Sequence, residues 1–333
     1  MSRIFIDKVK HLDPAKQKLI FFALKIIIAL LVLSILVRKI SFSQLTGVLS
    51  QANNAYIFSA AALLSVNIYF QFAKWQIVVH HEYPHVKNRQ ILYSLFVGMA
   101  LGLATPGRIG DFGRTFFIKN VEWPRLLGLL MIDKLITLAV LYFVGIIGLS
   151  HFISMRMHSF VWLPVFIMTI ALAALFLLFL LRPELLRSMI NRYQALFSKY
   201  AAVENFLCGI ESATPKLAFR LLALTIFQTV TYCSQFVLLV LAFYKIPIIG
   251  GYLSTFAVMF TKSLLPFSFG DLGIRESAAV YFFGQFHVPA AAAFNASFLL
   301  FTINILLPSV MGLGLLLFKR QTIIKSNGKS PSD

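Results

Sequence analysis

Acidic residues are scarce in this chain. Twelve Asp and Glu stand against 30 Lys and Arg in 333 residues, and charged residues make up only 13%. A soluble globule carries about 25% charge, so a free soluble domain is excluded. There are two cysteines, Cys208 and Cys233, too few for a disulfide framework. No phosphate-cradling G-x-x-x-x-G-K-[ST] loop occurs, and no polar stretch is long enough for an ATPase. Uphill movement of a solute would need an ion gradient or a partner. No cleavable leader is expected either. Met1 to Lys18 is basic, but the apolar run Leu19 to Val37 is too long for a signal core and lacks a small-residue cleavage site.

What the chain has in quantity is grease: 59% hydrophobic residues, 34 of them Phe. The apolar residues form runs near the roughly 20 residues a helix needs to cross a bilayer. Full spans are expected near 19–37, 56–79, 126–149, 160–181, 217–243 and 290–318. Two further apolar stretches, 91–105 and 251–265, are too short to cross. The net charge of +18 sits mostly between the runs, where it sets topology and meets anionic headgroups. Nucleic acid is not an expected partner.

Each short stretch ends in the same phrase. Pro106-Gly107-Arg108-Ile109-Gly110-Asp111-Phe112-Gly113-Arg114 returns as Pro266-Phe267-Ser268-Phe269-Gly270-Asp271-Leu272-Gly273-Ile274-Arg275-Glu276. Both copies read P-x-x-x-G-D-x-G followed by arginine. Upstream, Ser94, Phe96 and Met99 match Ser254, Phe256 and Met259. Pro and Gly break helices, so each copy is expected to turn a re-entrant hairpin inside the membrane. Such backbone is tolerated only when buried in protein or lining a wet cavity.

Charge parity supports non-crossing hairpins. The tail with Arg3, Lys8, Lys10, Lys16 and Lys18, the linker with Arg182, Arg187, Arg192, Lys199 and Lys216, and the tail with Lys319, Arg320, Lys325 and Lys329 all belong in the cytoplasm by the positive-inside rule. Hairpins that return to their own side satisfy this, and they enter from opposite faces. The expected fold class is therefore an all-α polytopic membrane protein. It has about six full transmembrane helices plus two re-entrant helical hairpins arranged as an inverted repeat. The chain reads as one membrane domain, 1–333. A basic tail and first helix occupy 1–55, and the first repeat 56–150, with hairpin motif 106–114. A connecting helix and basic amphipathic linker fill 160–216, and the second repeat 217–318, with motif 266–276. A basic disordered tail closes the chain at 319–333.

Candidate site residues cluster on the motifs. Pro106, Gly110, Gly113, Pro266, Gly270 and Gly273 would shape the turns. Asp111 and Asp271 would cap the half-helices that follow. Arg108, Arg114 and Arg275 suit forked contacts with phosphate oxygens, although each could instead pair with an Asp or with Glu276. Asp133, Lys134, Lys262 and Glu276 fall within apolar runs, where ionisable groups are costly and usually functional; they could bind substrate or carry a coupling proton, or Lys262 and Glu276 could simply pair. Asn67 and Gln71 share a helix face and could line the pathway. So could Gln228, Gln235, Asn295 and Asn304, though all of these could equally hydrogen-bond helix to helix. Lys25 and Lys74 are expected to snorkel. His81-Glu82-Tyr83-Pro84-His85 spells a zinc-protease pattern, but Pro84 disfavours the helix that pattern requires. No metal site, cofactor or catalytic residue is expected.

At these residues the chain resembles the lysylphosphatidylglycerol synthase transmembrane-region family, often called flippase-like. Members share a P-x-x-x-G-[DE]-x-x-R type motif, here Pro106 to Arg114, and a second near P-x-x-x-G-x-x-G-x-R-E, here Pro266 to Glu276. The family's [DE]-R pair appears as Asp133-Lys134, and Trp75 is similar to a tryptophan near the end of the second span. The resemblance covers nearly the whole chain, from the first span to about Phe318. It implies a bacterial inner-membrane protein that handles lipid. In some relatives the membrane region is linked to flipping an aminoacylated phospholipid made by a separate soluble domain; others are associated with polyprenyl-phosphate sugar carriers or hopanoids. No such soluble domain lies within these residues, so aminoacyl transfer is not expected.

The leading expectation is a lipid flippase, not an enzyme, that moves an anionic or aminoacylated phospholipid or a polyprenyl-phosphate-linked lipid. The expected partners are membrane lipids with phosphate-bearing headgroups, with a lipid- or glycan-synthesis enzyme as a candidate. The alternatives are an accessory subunit of lipid or envelope-polysaccharide synthesis, or a membrane-embedded lipid-phosphate enzyme.

Overall fold

A computed structural model describes residues 52–156, 201–264 and 273–327, with the isolated positions 167 and 171. Every regular element among these residues is helical. The long helices are α1 (Asn54–Glu82), α3 (Trp123–Arg156) and α5 (Pro215–Leu241). α8 (Ala290–Phe301) runs through a π turn at Thr302–Leu306 into α9 (Leu307–Asn327). Pro308 has no N–H to offer the Asn304 carbonyl, which accounts for the wider turn there. Short helices α2 (Asn88–Ala104), α4 (Ala201–Glu211), α6 (Ile248–Leu264) and α7 (Ile274–Gly284) lie between them. A 3-10 segment, Pro106–Phe117, follows α2.

Among the described residues, four helical stretches are long and apolar enough to cross a bilayer: Asn54–Glu82, Trp123–Met155, Pro215–Leu241 and Ala290–Phe318. They match four of the six expected spans. The other two, 19–37 and 160–181, lie outside the described residues apart from the isolated positions 167 and 171, as do the N-terminal tail and the linker to residue 200. Phe58, Ile249 and Phe318 are each more than 70% exposed; surfaces this apolar belong against lipid, not water. α2 and α6 have 17 residues each, about 25 Å of helix, short of the roughly 30 Å hydrocarbon core. α9 continues to Asn327, into a tail that its composition reads as disordered; the first helix breaker there is Gly328.

Contacts fix the direction of each element. α1 and α5 run antiparallel: the Asn53 N–H donates to the Ala242 carbonyl (2.8 Å), Gln235 Nε2 to the Ala60 carbonyl (2.9 Å) and Lys74 Nζ to Thr225 Oγ1 (3.2 Å). α2 turns back along α1, with Trp75 against Ser94 and Gln76 against Asn88. The 3-10 segment then turns back along α2: Gly102 faces Asp111, Gly98 faces Arg114, and Tyr93 meets Phe117. α6 runs antiparallel to α5 through Ser234 and Tyr252, and α7 antiparallel to α6 through Ser254 and Phe282. α3 runs antiparallel to α6, with Gly148 against Leu253 and Gly145 against Phe260. α9 runs antiparallel to α2, with the Ser309 hydroxyl donating to the Met99 carbonyl (3.0 Å).

With α1 taken as running up, α2, α3 and α5 run down while α6 and α9 run up. The spans on either side of each short helical pair therefore point in opposite directions. The packing is also reciprocal. The span after the first pair, α3, rests on α6 of the second. The span after the second pair, α9, rests on α2 of the first.

Two apolar cores flank the middle. One gathers Trp75, Ile91, Leu95, Leu126 and Leu221, and the other Phe236, Val258, Phe283, Ala293 and Leu300.

Candidate functional site

The first motif makes the site's tip. Gly107 (φ 60, ψ 14) and Arg108 (φ 57, ψ 29) are both left-handed, a conformation natural for glycine but strained for arginine. Thr105 fastens the turn: its hydroxyl donates to the Leu101 carbonyl (3.0 Å) and accepts from the Gly110 N–H (2.6 Å). A Cβ on Gly110 would stand 2.1 Å from the Leu101 carbonyl oxygen, so only glycine lets the strands of the turn meet. Among the described residues, Arg108 has no ion-pair partner.

Beneath the tip lies a web of buried charge. Asp111 pairs with Lys134, and Asp133 pairs with Lys74 (2.9 Å), with Arg114 3.9 Å from its other oxygen. Lys74 also donates to Thr137 (3.0 Å) and Thr225 (3.2 Å). The Arg114 guanidinium sits 4.2 Å over the Trp75 ring, a cation–π contact strengthened by burial. Trp75 in turn donates to Ser94 (2.8 Å). Arg114 is 4% exposed, yet among the described residues its Nε has no hydrogen-bond partner. Buried donors of this kind are rare without a role.

This web forms one wall of a cavity of about 310 Å³, within the range of small-molecule sites. Among the described residues, five cationic side chains line it, Lys74, Arg108, Arg114, Lys134 and Lys262, against two carboxylates, Asp111 and Asp133. Lys262 comes from the end of α6, so both short helical pairs contribute. It lies 5.5 Å over the Tyr232 ring. Gln71 and Gln228 add polar lining, and among the described residues the buried Gln228 side-chain oxygen has no partner.

Of the expected site residues, Gln71, Arg108, Asp111, Arg114, Asp133, Lys134, Gln228 and Lys262 line this cavity, with several differences from expectation. Asp111 was expected as a cap, but Thr105 stands at the start of the 3-10 segment and Asp111 falls inside it, where Lys134 attracts its carboxylate. Gly113 packs against Leu101. Asn67 joins helices: its side chain donates to Asn304 (2.6 Å) and accepts from Gln71 (3.4 Å). Arg275 and Glu276 are fully buried but do not line the cavity. They pair at 2.5 Å, and both bond Ser297 of α8. Glu276 also accepts from the N–H of Gly273 (2.7 Å), the N-cap of α7 (φ 86). Pro266, Gly270 and Asp271 lie outside the described residues.

Lys74 was expected to snorkel. It is instead 5% exposed and ion-paired, because Asp133, Thr137 and Thr225 converge on it. Its signal was present: Asn67, Gln71 and Lys74 follow at i, i+4 and i+7, one polar helix face. The zinc-protease look-alike falls at a helix end: α1 stops at Glu82, which pairs with Arg125 (3.0 Å), and His81 bonds the Ser212 carbonyl. Among the described residues, no cluster of metal-ligating side chains occurs.

Residues 22–312 match the family described as the lysylphosphatidylglycerol synthase TM region. No curated protein matches the chain. The family match spans most of the sequence, and the chain belongs to this family. It is a multi-pass helical membrane protein of a lipid-related family.

Proposed function

We propose that this member of the lysylphosphatidylglycerol synthase TM region family is a lipid flippase of the bacterial inner membrane, with both termini in the cytoplasm. Its cargo carries a phosphate headgroup: an anionic or aminoacylated phospholipid, or a polyprenyl-phosphate-linked lipid. The observation that carries the reading is the cavity where the first motif and the end of α6 meet: among the described residues, and leaving Lys262 aside, Lys74, Arg108, Arg114 and Lys134 stand there against Asp111 and Asp133. A surplus of cations within apolar surroundings is costly unless an anion completes it.

Relative helix directions support an inverted repeat. α1 and α3 point oppositely, so the short pair between them makes no net crossing; the same holds for α5 and α9 around the second pair. The two pairs enter from opposite sides, and their inner ends share the cavity. That is the arrangement from which rocking of one repeat against the other opens a midplane site alternately. Arg108, at the strained tip and without an ion pair among the described residues, is the first contact for the phosphate. Lys134, Lys262 and Arg114 surround it. Asp111 and Asp133 hold the cations in place when no headgroup is bound.

The test is translocation of a fluorescent phosphatidylglycerol in proteoliposomes. A hydrogen bond to a charged group contributes about 1.5–3 kcal/mol. Arg108→Ala is therefore expected to weaken headgroup binding roughly 10- to 100-fold and to slow translocation accordingly. Unchanged translocation would remove Arg108 from the site. Headgroup turnover by the purified protein would point to an enzyme instead.

A further inference from the structure

The polar cavity does not stop at its polar wall. Thr229 and Cys233, which line it on the α5 side, also line a second cavity of about 340 Å³. This neighbour is apolar, walled by Val140 and Val144 of α3, Leu222 of α5 and Phe256 of α6. Its one hydroxyl besides Thr229, that of Tyr252, is already bonded to Ser234 (2.7 Å). At its outer edge stand Phe143, Ile226 and Val230, exposed by 43%, 46% and 54%. In a membrane-spanning protein, side chains so exposed on α3 and α5 meet acyl chains.

We infer that this second cavity is a lateral groove holding a hydrocarbon chain of the same molecule whose phosphate headgroup occupies the polar cavity, with Thr229 and Cys233 at the junction between the two. The inference rests on the proposed headgroup site and adds the missing half of the ligand. It makes the cargo an amphiphile and assigns its tail an exit between α3 and α5.

The physical reason for a groove is access more than affinity. Lipid tails are as apolar as the groove walls, so a tail gains little by leaving the bilayer. A headgroup, however, cannot reach a buried cationic cavity unless its tail has a continuous apolar path back to lipid. The two cavities supply polar and apolar compartments in contact, and the exposed residues at the outer edge supply the opening. A soluble phosphate ester would need only the first compartment.

The experiment uses the full chain in phosphatidylglycerol-containing nanodiscs and proteoliposomes. A phosphatidylglycerol with a photoreactive group in its acyl chain is the tail probe, and glycerol phosphate is the soluble headgroup probe. Tail crosslinks are expected on Phe143, Ile226 and Val230, and excess glycerol phosphate should suppress them. Val230→Trp and, separately, Ile226→Trp should lower phospholipid translocation at least tenfold while leaving glycerol phosphate binding within twofold. Both positions are exposed, so neither change should disturb folding, and glycerol phosphate binding checks that.

Translocation unaffected by both tryptophans would overturn the groove while leaving the headgroup site intact. So would crosslinks that glycerol phosphate does not displace, or crosslinks spread equally over Phe58 and Phe318. Failure of glycerol phosphate to bind the unaltered protein, with crosslinks absent from the groove, would overturn both readings.

Discussion

Arg108 and Arg275 both belong to the repeated phrase, one before its Gly-Asp pair and one after it, and their surroundings assign them opposite roles. Arg275 is sealed from solvent, with Glu276 and Ser297 as partners. Removing one member of a buried pair leaves an uncompensated charge and costs about 3–5 kcal/mol. Glu276→Ala is thus expected to lower thermal stability sharply in detergent, as read by fluorescence-detected size exclusion. Ser297→Ala, which removes only the neutral bridge, should cost roughly 1 kcal/mol. If Glu276→Ala melted like the unaltered protein, the pair would not be holding α7 to α8. The sequence marked both arginines alike because the motif records a turn and a charge, whereas burial depends on which helix packs over them. Lys74 went unrecognised for the same reason: its partners, Asp133 and Thr225, come from two other helices.

At the scale of elements, the short helical pairs were legible where proline and glycine interrupted apolar runs too brief to cross. The ends of α1 and α5 fall within about three residues of the expected spans, since a bilayer sets helix length directly, whereas α3 runs past its expected end to Arg156. The form of the return limb was less legible. A 3-10 segment with left-handed residues at Gly107 and Arg108 depends on close approach to α2, which no local propensity encodes. Gly110→Ala is expected to break this turn, because the added Cβ would meet the Leu101 carbonyl at 2.1 Å. Loss of folded protein on size exclusion would register it, and normal yield with normal melting would contradict the close approach. Cysteines introduced singly at Tyr93 and Phe117, whose rings lie 6.3 Å apart, should react with an impermeant maleimide from the same side of the membrane. Reaction from opposite sides would mean that the pair crosses.

For the whole molecule, the apolar runs led to an all-helical membrane protein, which the four long apolar helices among the described residues bear out; the inverted repeat read from the duplicated phrase and the basic residues is part of the proposal. The reciprocal packing of α3 on α6 and α9 on α2 could not be read from sequence, because each contact joins elements far apart in the chain. On the proposed reading, this packing would couple the opening of one side to the closing of the other. The most direct measurement is accessibility of the shared cavity from each face of the membrane. Gln71→Cys, in a background of Cys208→Ser and Cys233→Ser, would be reconstituted and exposed to an impermeant maleimide first from one side, then the other. Labelling from both sides, slowed by glycerol phosphate, is the expected result. Labelling from one side alone under every condition would contradict alternating access to a phosphate headgroup between the two repeats.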